Sequence, residues 1–273
     1  MATHGLLISF ILFSASILYA TGQVPNVQYG DGSDPAQVMD IYLPSLDFGS
    51  ITKIIVLIHG GAWGGGQKSD MAGWVPFMQA SFPSYAIANM EYRLGTHASP
   101  GFPKQLEDIH LALSFLKSSF TRNVTFALIG SSAGGHLAML YGYAWDREAK
   151  NVKAIVSHVG PTDISDSGYA NEPGLWDLFF NLVGPCTHTQ CPDLYTAASP
   201  ITYVTAEATK TIGFYGNADY LVPSSQMPLL KEKLDGLGVP NNFTVYQGGH
   251  GDWVWEDIED MIRQVTDFFN THW

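Results

Sequence analysis

Short apolar runs rich in β-branched residues alternate along this chain with stretches whose apolar residues recur at helical spacing. Runs of this kind are typical of strands buried on both faces, because both of their sides must then be apolar. The repeated order of strand, helix and strand predicts an α/β fold with a mostly parallel, twisted sheet and helices on both of its faces. The runs that we predict as strands are residues 53–58, 85–90, 124–129, 152–157, 211–215 and 243–246.

The sequence also predicts an edge hairpin and individual helices. Residues 24–29 and 38–43 flank the turn-rich sequence GDGSDPA, which predicts an antiparallel hairpin at one edge of the sheet. Pro103 stands where the first residue of a helix is expected. Apolar residues at helical spacing over 254–269 predict a long final helix. With 273 residues, of which 46% are hydrophobic, the chain is long enough for one large domain.

The charge balance restricts the partners of the chain. The sequence has 25 acidic and 13 basic residues, for a net charge of −12, and its basic residues are scattered rather than clustered. Because phosphate binding depends on clustered Lys and Arg, we expect no nucleic-acid partner. An anionic membrane surface is disfavoured for the same reason.

The first 22 residues differ in composition from the rest. Residues 5–19 are apolar or small and uncharged, and Ala20, Thr21 and Gly22 then supply the small residues of a cleavage site. This pattern predicts a secretory signal peptide over residues 1–22, followed by one domain over residues 23–273. A membrane anchor is the alternative, but about 15 apolar residues fall short of the roughly 20 that span a bilayer. We therefore expect a secreted protein with no stable membrane insertion.

The cysteines agree with export from the cell. Cys186 and Cys191 are the only two in the chain, and a pair this close in an exported protein is most simply a disulfide. Asn123 and Asn242 each begin an N-x-T sequon and are candidate glycosylation sites if the host is a eukaryote.

Residues 161–200 interrupt the alternation of strands and helices. The segment is rich in Gly, Pro, Asp and aromatic residues, and it contains both cysteines. A connection of this length inside a compact domain usually has a function. We expect it to form a lid or a wall of a binding pocket.

One motif points to nucleophilic catalysis. Gly130-Ser131-Ser132-Ala133-Gly134 matches G-x-S-x-G between a predicted strand and a helical stretch, which is the context that this motif needs. Glycines at both ends permit a turn sharp enough to expose the hydroxyl of the central serine. Ser132 is therefore the candidate nucleophile, and Ser131 is not central in the motif.

A serine hydroxyl needs a base, and the base needs an acid. His250 follows the predicted strand 243–246, and Asp219 follows the predicted strand 211–215, so both lie at the sheet edge where Ser132 lies. The chain order of serine, aspartate and histidine is the one expected of an α/β-hydrolase. The rival acids are Asp252, which is close to the base in sequence, and Asp193 in the irregular segment; His136 is better interpreted as a packing residue.

The oxyanion of an acyl-transfer intermediate needs preorganised donors. The sequence HGGAW closes the predicted strand 53–58, and its glycines let backbone amides approach a substrate. A phosphate-binding loop is the alternative, but the following GGGQK fits neither of the known phosphate patterns. The chain also has no H-E-x-x-H or comparable metal-ligand cluster, so we expect neither a metal nor a cofactor.

The motifs HGGAW, GSSAGGHLA, GNADYLVP and GGHGDW, in this order, resemble the α/β-hydrolase esterases. That group includes hormone-sensitive-lipase-like carboxylesterases, kynurenine formamidases and feruloyl-esterase-like enzymes. The resemblance implies Ser132 as nucleophile, His250 as base and Asp219 as its acid. It also implies an oxyanion hole, whose donors would be the amides of Gly61, Ala62 and Ala133, with Gly60 as the less favoured one. Ala62 stands where many hormone-sensitive-type enzymes have a third glycine, which favours the other two subgroups.

The expected function is that of a secreted serine esterase acting on a small-molecule ester. The aromatic residues expected to line the pocket mouth and to favour short-chain or aromatic esters are Tyr169, Trp176, Phe179, Phe180 and Trp63, and Tyr220 is a further candidate for contact with substrate. The alternative is that the rings of the segment 161–200 only pack it onto the core. Two alternatives stay open, an arylformamidase-type amide hydrolase and a non-catalytic binding protein on the same fold. The second alternative is disfavoured because the chain has all three residues of the catalytic set.

Overall fold

The computed structural model of this protein describes residues 22–44, 49–169 and 173–273. The predicted signal peptide lies outside these ranges, apart from Gly22. In the described ranges, eight strands form one sheet in the order β1-β2-β4-β3-β5-β6-β7-β8. The strands are β1 (Gln23–Gln28), β2 (Val38–Tyr42), β3 (Lys53–Ile58), β4 (Ala86–Met90), β5 (Thr125–Ser131), β6 (Val152–His158), β7 (Lys210–Gly216) and β8 (Asn241–Tyr246).

The helices of the described ranges lie in the connections and at the C-terminal end. None of them combines the length and the hydropathy needed to cross a lipid bilayer. Short 3₁₀ turns occur at Lys68–Met71, Ser167–Tyr169, Pro173–Leu175 and Pro200–Tyr203, and a π-helix covers Tyr141–Trp145. The α-helices are α1 (Trp74–Ser81), α2 (Lys104–Ser119), α3 (Ala133–Leu140), α4 (Trp176–Val183), α5 (Pro192–Ala197), α6 (Gln226–Gly236) and α7 (Trp255–His272).

The sheet has the mixed topology that the sequence predicts. Strands β1 and β2 pair antiparallel, and β2 also pairs antiparallel with β4, so the predicted hairpin at the edge is confirmed. From β4 to β8 every neighbouring pair is parallel. The carboxyl ends of β3, β5, β7 and β8 therefore meet at one edge, where ligands bind in open α/β sheets.

Strand β3 shows why the apolar runs are continuous. Ile54, Val56 and Ile58 pack into the core on one face of the sheet, and Ile55 and Leu57 pack into the core on the other. Buried residues of α2 and α3 belong to the first of these cores, and buried residues of α1 and α7 belong to the second. Helices thus cover both faces, and a polar residue in the middle of β3 would lose hydration on either side.

The segment 161–200 is more regular than its composition indicated. It contains two helices, α4 and α5, which the sequence pattern did not predict. Phe179, Leu182 and Val183 are buried on one side of α4, so the helix is held by tertiary packing and not by propensity alone. The disulfide between Cys186 and Cys191 is present in the loop between the two helices, with the Cα atoms 6.1 Å apart.

The two candidate glycosylation sites are both accessible. Asn123 is exposed in the loop before β5, and Asn242 is exposed on the edge strand β8. The Nδ2 atom of Asn242 donates to Gln264 Oε1 at 3.0 Å, a surface bond. Glycosylation at these positions stays a prediction.

Candidate active site

Ser132 lies in a tight turn between β5 and α3. Its backbone has φ 53° and ψ −118°, a conformation that a residue with a Cβ rarely adopts and that costs about 1 to 3 kcal/mol. The flanking glycines make the turn possible. A Cβ on Gly130 would lie 2.1 Å from the carbonyl oxygen of Gly134, and one on Gly134 would lie 2.1 Å from that of Ile58. The glycines of the motif thus allow the turn to pack against itself and against β3.

The side chains of Ser132, His250 and Asp219 form one hydrogen-bonded chain. The Oγ atom of Ser132 donates to Nε2 of His250 at 2.8 Å. The Nδ1 atom of His250 donates to Oδ2 of Asp219 at 2.7 Å. The structure therefore brings together three residues that are far apart in sequence, because they follow β5, β7 and β8 at the same edge of the sheet.

Asp219 is held as a carboxylate. Its side chain is 2% exposed, and its Oδ1 atom accepts the amides of Leu221 at 2.8 Å and Val222 at 3.0 Å. Burial by itself raises the pKa of this carboxyl, but the hydrogen bonds from His250 and from the two amides outweigh it, so the pKa lies below its usual value. A fixed negative charge at this position selects the Nδ1–H tautomer of His250.

The loops that carry the acid and the base are packed on each other. The amide of Ala218 donates to the carbonyl oxygen of Gly248 at 2.8 Å. Asp252, a rival acid, accepts the amide of Gly249 through Oδ1 at 2.7 Å and so braces the loop of His250. The other rival, Asp193, lies in the first turn of α5.

The HGGAW loop presents backbone amides to the same place. Gly61, Ala62 and Trp63 all have positive φ angles, of 114°, 49° and 60°. Among the described residues, no protein oxygen accepts the amides of Ala62 and Ala133. A Cβ on Gly60 would lie 3.1 Å from that of Ser132, so the loop approaches the serine closely. This arrangement can stabilise an oxyanion bonded to Ser132.

A side-chain pair that sequence reasoning missed supports this loop. His59 stacks on Tyr92 with 4.1 Å between ring centroids, and the Tyr92 hydroxyl donates to the carbonyl oxygen of His59 at 2.8 Å. The Nε2 atom of His59 lies 3.2 Å from Glu91, which also accepts the amide of Lys68. Burial raises the pKa of Glu91, but its contacts with His59 and Lys68 outweigh burial and leave the pKa below its usual value.

With this geometry established, comparison with known proteins identifies the family. The BD-FAE family model matches residues 39–234, which is more than half of the chain. The chain belongs to the BD-FAE family. This family is one of the α/β-hydrolase esterases, so the predicted family and the predicted fold class are both confirmed.

Individual relatives of this BD-FAE member are more distant. It is 26% identical to esterase LipC of Mycobacterium tuberculosis over 77% of this chain and 54% of LipC. It is 27% identical to the probable carboxylic ester hydrolase LipM of the same organism over 74% of this chain and 49% of LipM. The chain thus spans about half the length of these relatives.

Two solved structures illustrate the shared fold. Inhibited esterase B from Lactobacillus rhamnosis is 19% identical, with a TM-score of 0.73 over 98% of this chain and 96% of that chain. The bifunctional GH43-CE protein of Bacteroides eggerthii is 23% identical, with a TM-score of 0.77 over 92% of this chain and 38% of that chain. At these identities the likeness establishes the α/β-hydrolase fold.

A cavity of about 450 Å³ opens above Ser132 in this BD-FAE member. One wall is the candidate catalytic and oxyanion region. The opposite wall comes from the segment that was predicted as a lid, through the side chains of Tyr169, Leu175, Leu178 and Phe179. Trp63, predicted to contact substrate, also lines the cavity.

Three of the predicted aromatic wall residues lie elsewhere. Trp176 stacks on His188 with 4.9 Å between ring centroids, and Phe180 packs edge-on against His97. Tyr220 is 77% exposed and does not line this cavity, so its contact with substrate stays a prediction that the cavity does not support. The reason is the turn at Asp219. Its Oδ1 atom accepts the backbone amides of Leu221 and Val222, and these two residues, rather than Tyr220, form part of the cavity wall.

His136 has the packing role that the sequence predicted. It is fully buried, it accepts the indole N–H of Trp63 at Nδ1 at 3.1 Å, and it donates from Nε2 to the carbonyl oxygen of Ala198 at 2.7 Å. Burial lowers the pKa of His136 to about 4. Protonation at Nδ1 would also break the hydrogen bond from Trp63, so His136 is neutral in the folded protein above about pH 4.

We expect the buried His136 to make the protein less stable at mildly acidic pH. Between about pH 6.5 and 4 the unfolded state gains a proton on this residue and the folded state does not, so the free energy of unfolding falls as the pH falls, by about 3 kcal/mol at pH 4. Denaturant titrations of wild type and His136→Gln between pH 6.5 and 5 measure this effect. The variant is expected to be less stable but to have a flatter pH dependence, and equal slopes would contradict the prediction.

Proposed function

We propose that this protein hydrolyses carboxylic esters, with Ser132 as nucleophile, His250 as general base and Asp219 as its supporting acid. The observation that carries the proposal is the hydrogen-bonded chain from Asp219 through His250 to Ser132, with distances of 2.7 and 2.8 Å, at the floor of a cavity. The names of the relatives LipC and LipM, an esterase and a probable carboxylic ester hydrolase, support the same reaction class.

Acylation follows from the positions of these groups. As the Oγ atom of Ser132 attacks the ester carbonyl carbon, its proton passes to Nε2 of His250, and Asp219 stabilises the imidazolium. The carbonyl oxygen becomes an oxyanion, and the amides of Gly61, Ala62 and Ala133 are the proposed donors to it. The tetrahedral intermediate then breaks its bond to the alcohol oxygen, which takes the proton from His250 and leaves as the free alcohol.

Deacylation repeats these steps with water. His250, again neutral, removes a proton from a water molecule that attacks the acyl carbon of the Ser132 ester. The oxyanion forms a second time, and its collapse breaks the acyl–serine bond. The proton returns from His250 to Oγ, the carboxylic acid is released, and the protein is ready for another cycle.

Three features support the proposal that the protein is secreted and acts on a small-molecule substrate. The apolar segment 5–19 with small residues after it supports export from the cell, and the Cys186–Cys191 disulfide fits an oxidising compartment. The net charge of −12 supports a small-molecule substrate over a nucleic-acid partner.

Labelling with a fluorophosphonate probe tests the proposal. The probe reacts with a serine that has an activating base, so folded wild type should be labelled at Ser132. Ser132→Ala should lose the label, and the matched variant Ser131→Ala should keep it, because Ser131 bonds to His158 and not to His250. Folded wild-type protein that takes up no label would show that Ser132 is not activated.

We expect short acyl groups to be preferred over long ones. Tyr169 and Phe179 pack edge-to-face at 4.8 Å and Phe179 packs on Trp63 at 5.6 Å, so the cavity wall opposite Ser132 is tightly filled. A palmitoyl chain would have to displace these rings, and a butyryl group would not. The ratio of kcat/KM for p-nitrophenyl butyrate over palmitate should exceed about tenfold. A preference for palmitate, or sharp activation at an oil–water interface, would mean that this wall opens widely.

A further inference from the structure

A second cavity, of about 270 Å³, adjoins the loop that carries His250, because Gly251 lines it. Its walls come from α1, from the end of β6, and from the loop and helix that follow His250. Four of the lining side chains are aromatic rings, those of Trp74, Phe77, Trp253 and Trp255. Trp255 is 53% exposed and Phe77 packs against it with 5.9 Å between ring centroids, so part of this aromatic lining is accessible to solvent.

This second cavity adjoins the candidate catalytic site. Asp70 lines both cavities, and Gly251, the residue after His250, lines the second. His158 lines the second cavity and contacts Ser131, which lines the first. Its Nδ1 atom lies 2.9 Å from the hydroxyl of Ser131, next to the proposed nucleophile, and its ring packs edge-on against Trp253 at 4.9 Å.

The lining of the second cavity indicates the chemistry of its occupant. Besides the four rings it contains Ile258, Met261 and Ile262, and among the described residues that line it Asp70 has the only charged side chain. A sugar ring would bring several hydroxyl groups that need partners, and Asp70 and His158 offer few. A neutral aryl ring needs none and gains from edge-to-face and stacked contacts with Trp and Phe. The volume of about 270 Å³ is large enough for an aryl ring.

The position of the cavity indicates which part of an ester reaches it. In the proposed reaction His250 gives its proton to the departing oxygen, so the leaving alcohol lies on the His250 side of the acyl carbon. The acyl group then occupies the cavity lined by Tyr169 and Phe179. We propose that the second cavity is a subsite for the aryl ring of the leaving alcohol, an inference that rests on the ester hydrolysis proposed above.

Esters of one acid with three alcohols test the subsite. Benzyl, cyclohexylmethyl and propyl butyrate have leaving alcohols of similar acidity, but only benzyl alcohol has an aromatic face. We expect Trp255→Leu to lower the ratio of kcat/KM for benzyl over propyl butyrate about 3- to 10-fold. The ratio of cyclohexylmethyl over propyl butyrate should change less. Trp74→Leu, on the opposite wall, should act in the same direction.

Trp145→Leu is the matched control. Trp145 is also a surface tryptophan, 40% exposed, but it lies in the π-helix and lines neither cavity, so its replacement should leave all three rates unchanged. If Trp255→Leu and Trp74→Leu both keep the wild-type ratio while propyl butyrate is still hydrolysed, the subsite is wrong and the esterase proposal stands. If Trp255→Leu slows a butyrylated glucoside more than benzyl butyrate, the aryl assignment is wrong. Absence of hydrolysis of all three esters by folded wild type overturns both proposals.

Discussion

Ser132→Ala and His250→Ala should each lower kcat for p-nitrophenyl butyrate by about 10⁴- to 10⁶-fold, because members of a catalytic triad act as a unit. Asp219→Asn should cost somewhat less. It keeps the size of the side chain, but it removes the charge that stabilises the imidazolium. Steady-state kinetics on each purified variant measure the effect, and thermal unfolding verifies that the fold is retained.

Two comparisons make this prediction sharper. The double variant Ser132→Ala/His250→Ala should be no slower than either single variant, since loss of one member already abolishes the function of the other. Asp193→Asn, which changes the rival carboxylate in α5, should keep wild-type activity. If His250→Ala retains most of the activity, another group is the base and the proposed mechanism is wrong.

The shared location of the candidate triad could be predicted because the carboxyl ends of parallel strands meet at one edge of the sheet. A serine after β5, an aspartate after β7 and a histidine after β8 therefore all lie at that edge, and their loops bring them into hydrogen-bonding distance. The sharp turn at Ser132 could also be predicted, from the glycines on either side of it. The contact of Gly130 with Gly134 depends on local backbone, which the five-residue motif specifies by itself.

The features that sequence reasoning missed depend on contacts between distant segments. Helix α4 is short, and its buried Phe179 packs against Trp63 and Tyr195, which lie in other segments, so its own pattern was too brief to identify. The position of Tyr220 depends on the turn in which the backbone amides of Leu221 and Val222 donate hydrogen bonds to Asp219, and composition does not reveal this turn. The second cavity joins parts of α1, β6 and α7, and no single stretch of sequence contains it.

Adding one methyl group to the HGGAW loop, by Gly61→Ala, should also impair catalysis strongly. Gly61 has φ 114°, and a Cβ there would lie 2.2 Å from the carbonyl oxygen of Gly65. Gly61→Ala therefore cannot keep this backbone, and the amides of Gly61 and Ala62 must move away from the oxyanion position. Loss of one such donor lowers kcat about 10²- to 10³-fold. We expect a decrease in that range, with a smaller change in KM because the effect falls on the transition state.

Ala62→Gly is the matched comparison. Ala62 lies next to Gly61, and this variant removes a methyl group where Gly61→Ala adds one. Ala62 has φ 49°, which glycine adopts with less strain, and its amide is retained in the variant. Its kcat should stay within a few-fold of wild type. Gly236→Ala, in α6, where an added Cβ would meet no atom within 4 Å, verifies that a glycine substitution alone is tolerated. If Gly61→Ala folds with the wild-type Tm and keeps its kcat, the oxyanion hole is not formed by this loop. If Gly61→Ala and Ala62→Gly lose activity equally, flexibility of the loop rather than the position of its amides limits the reaction.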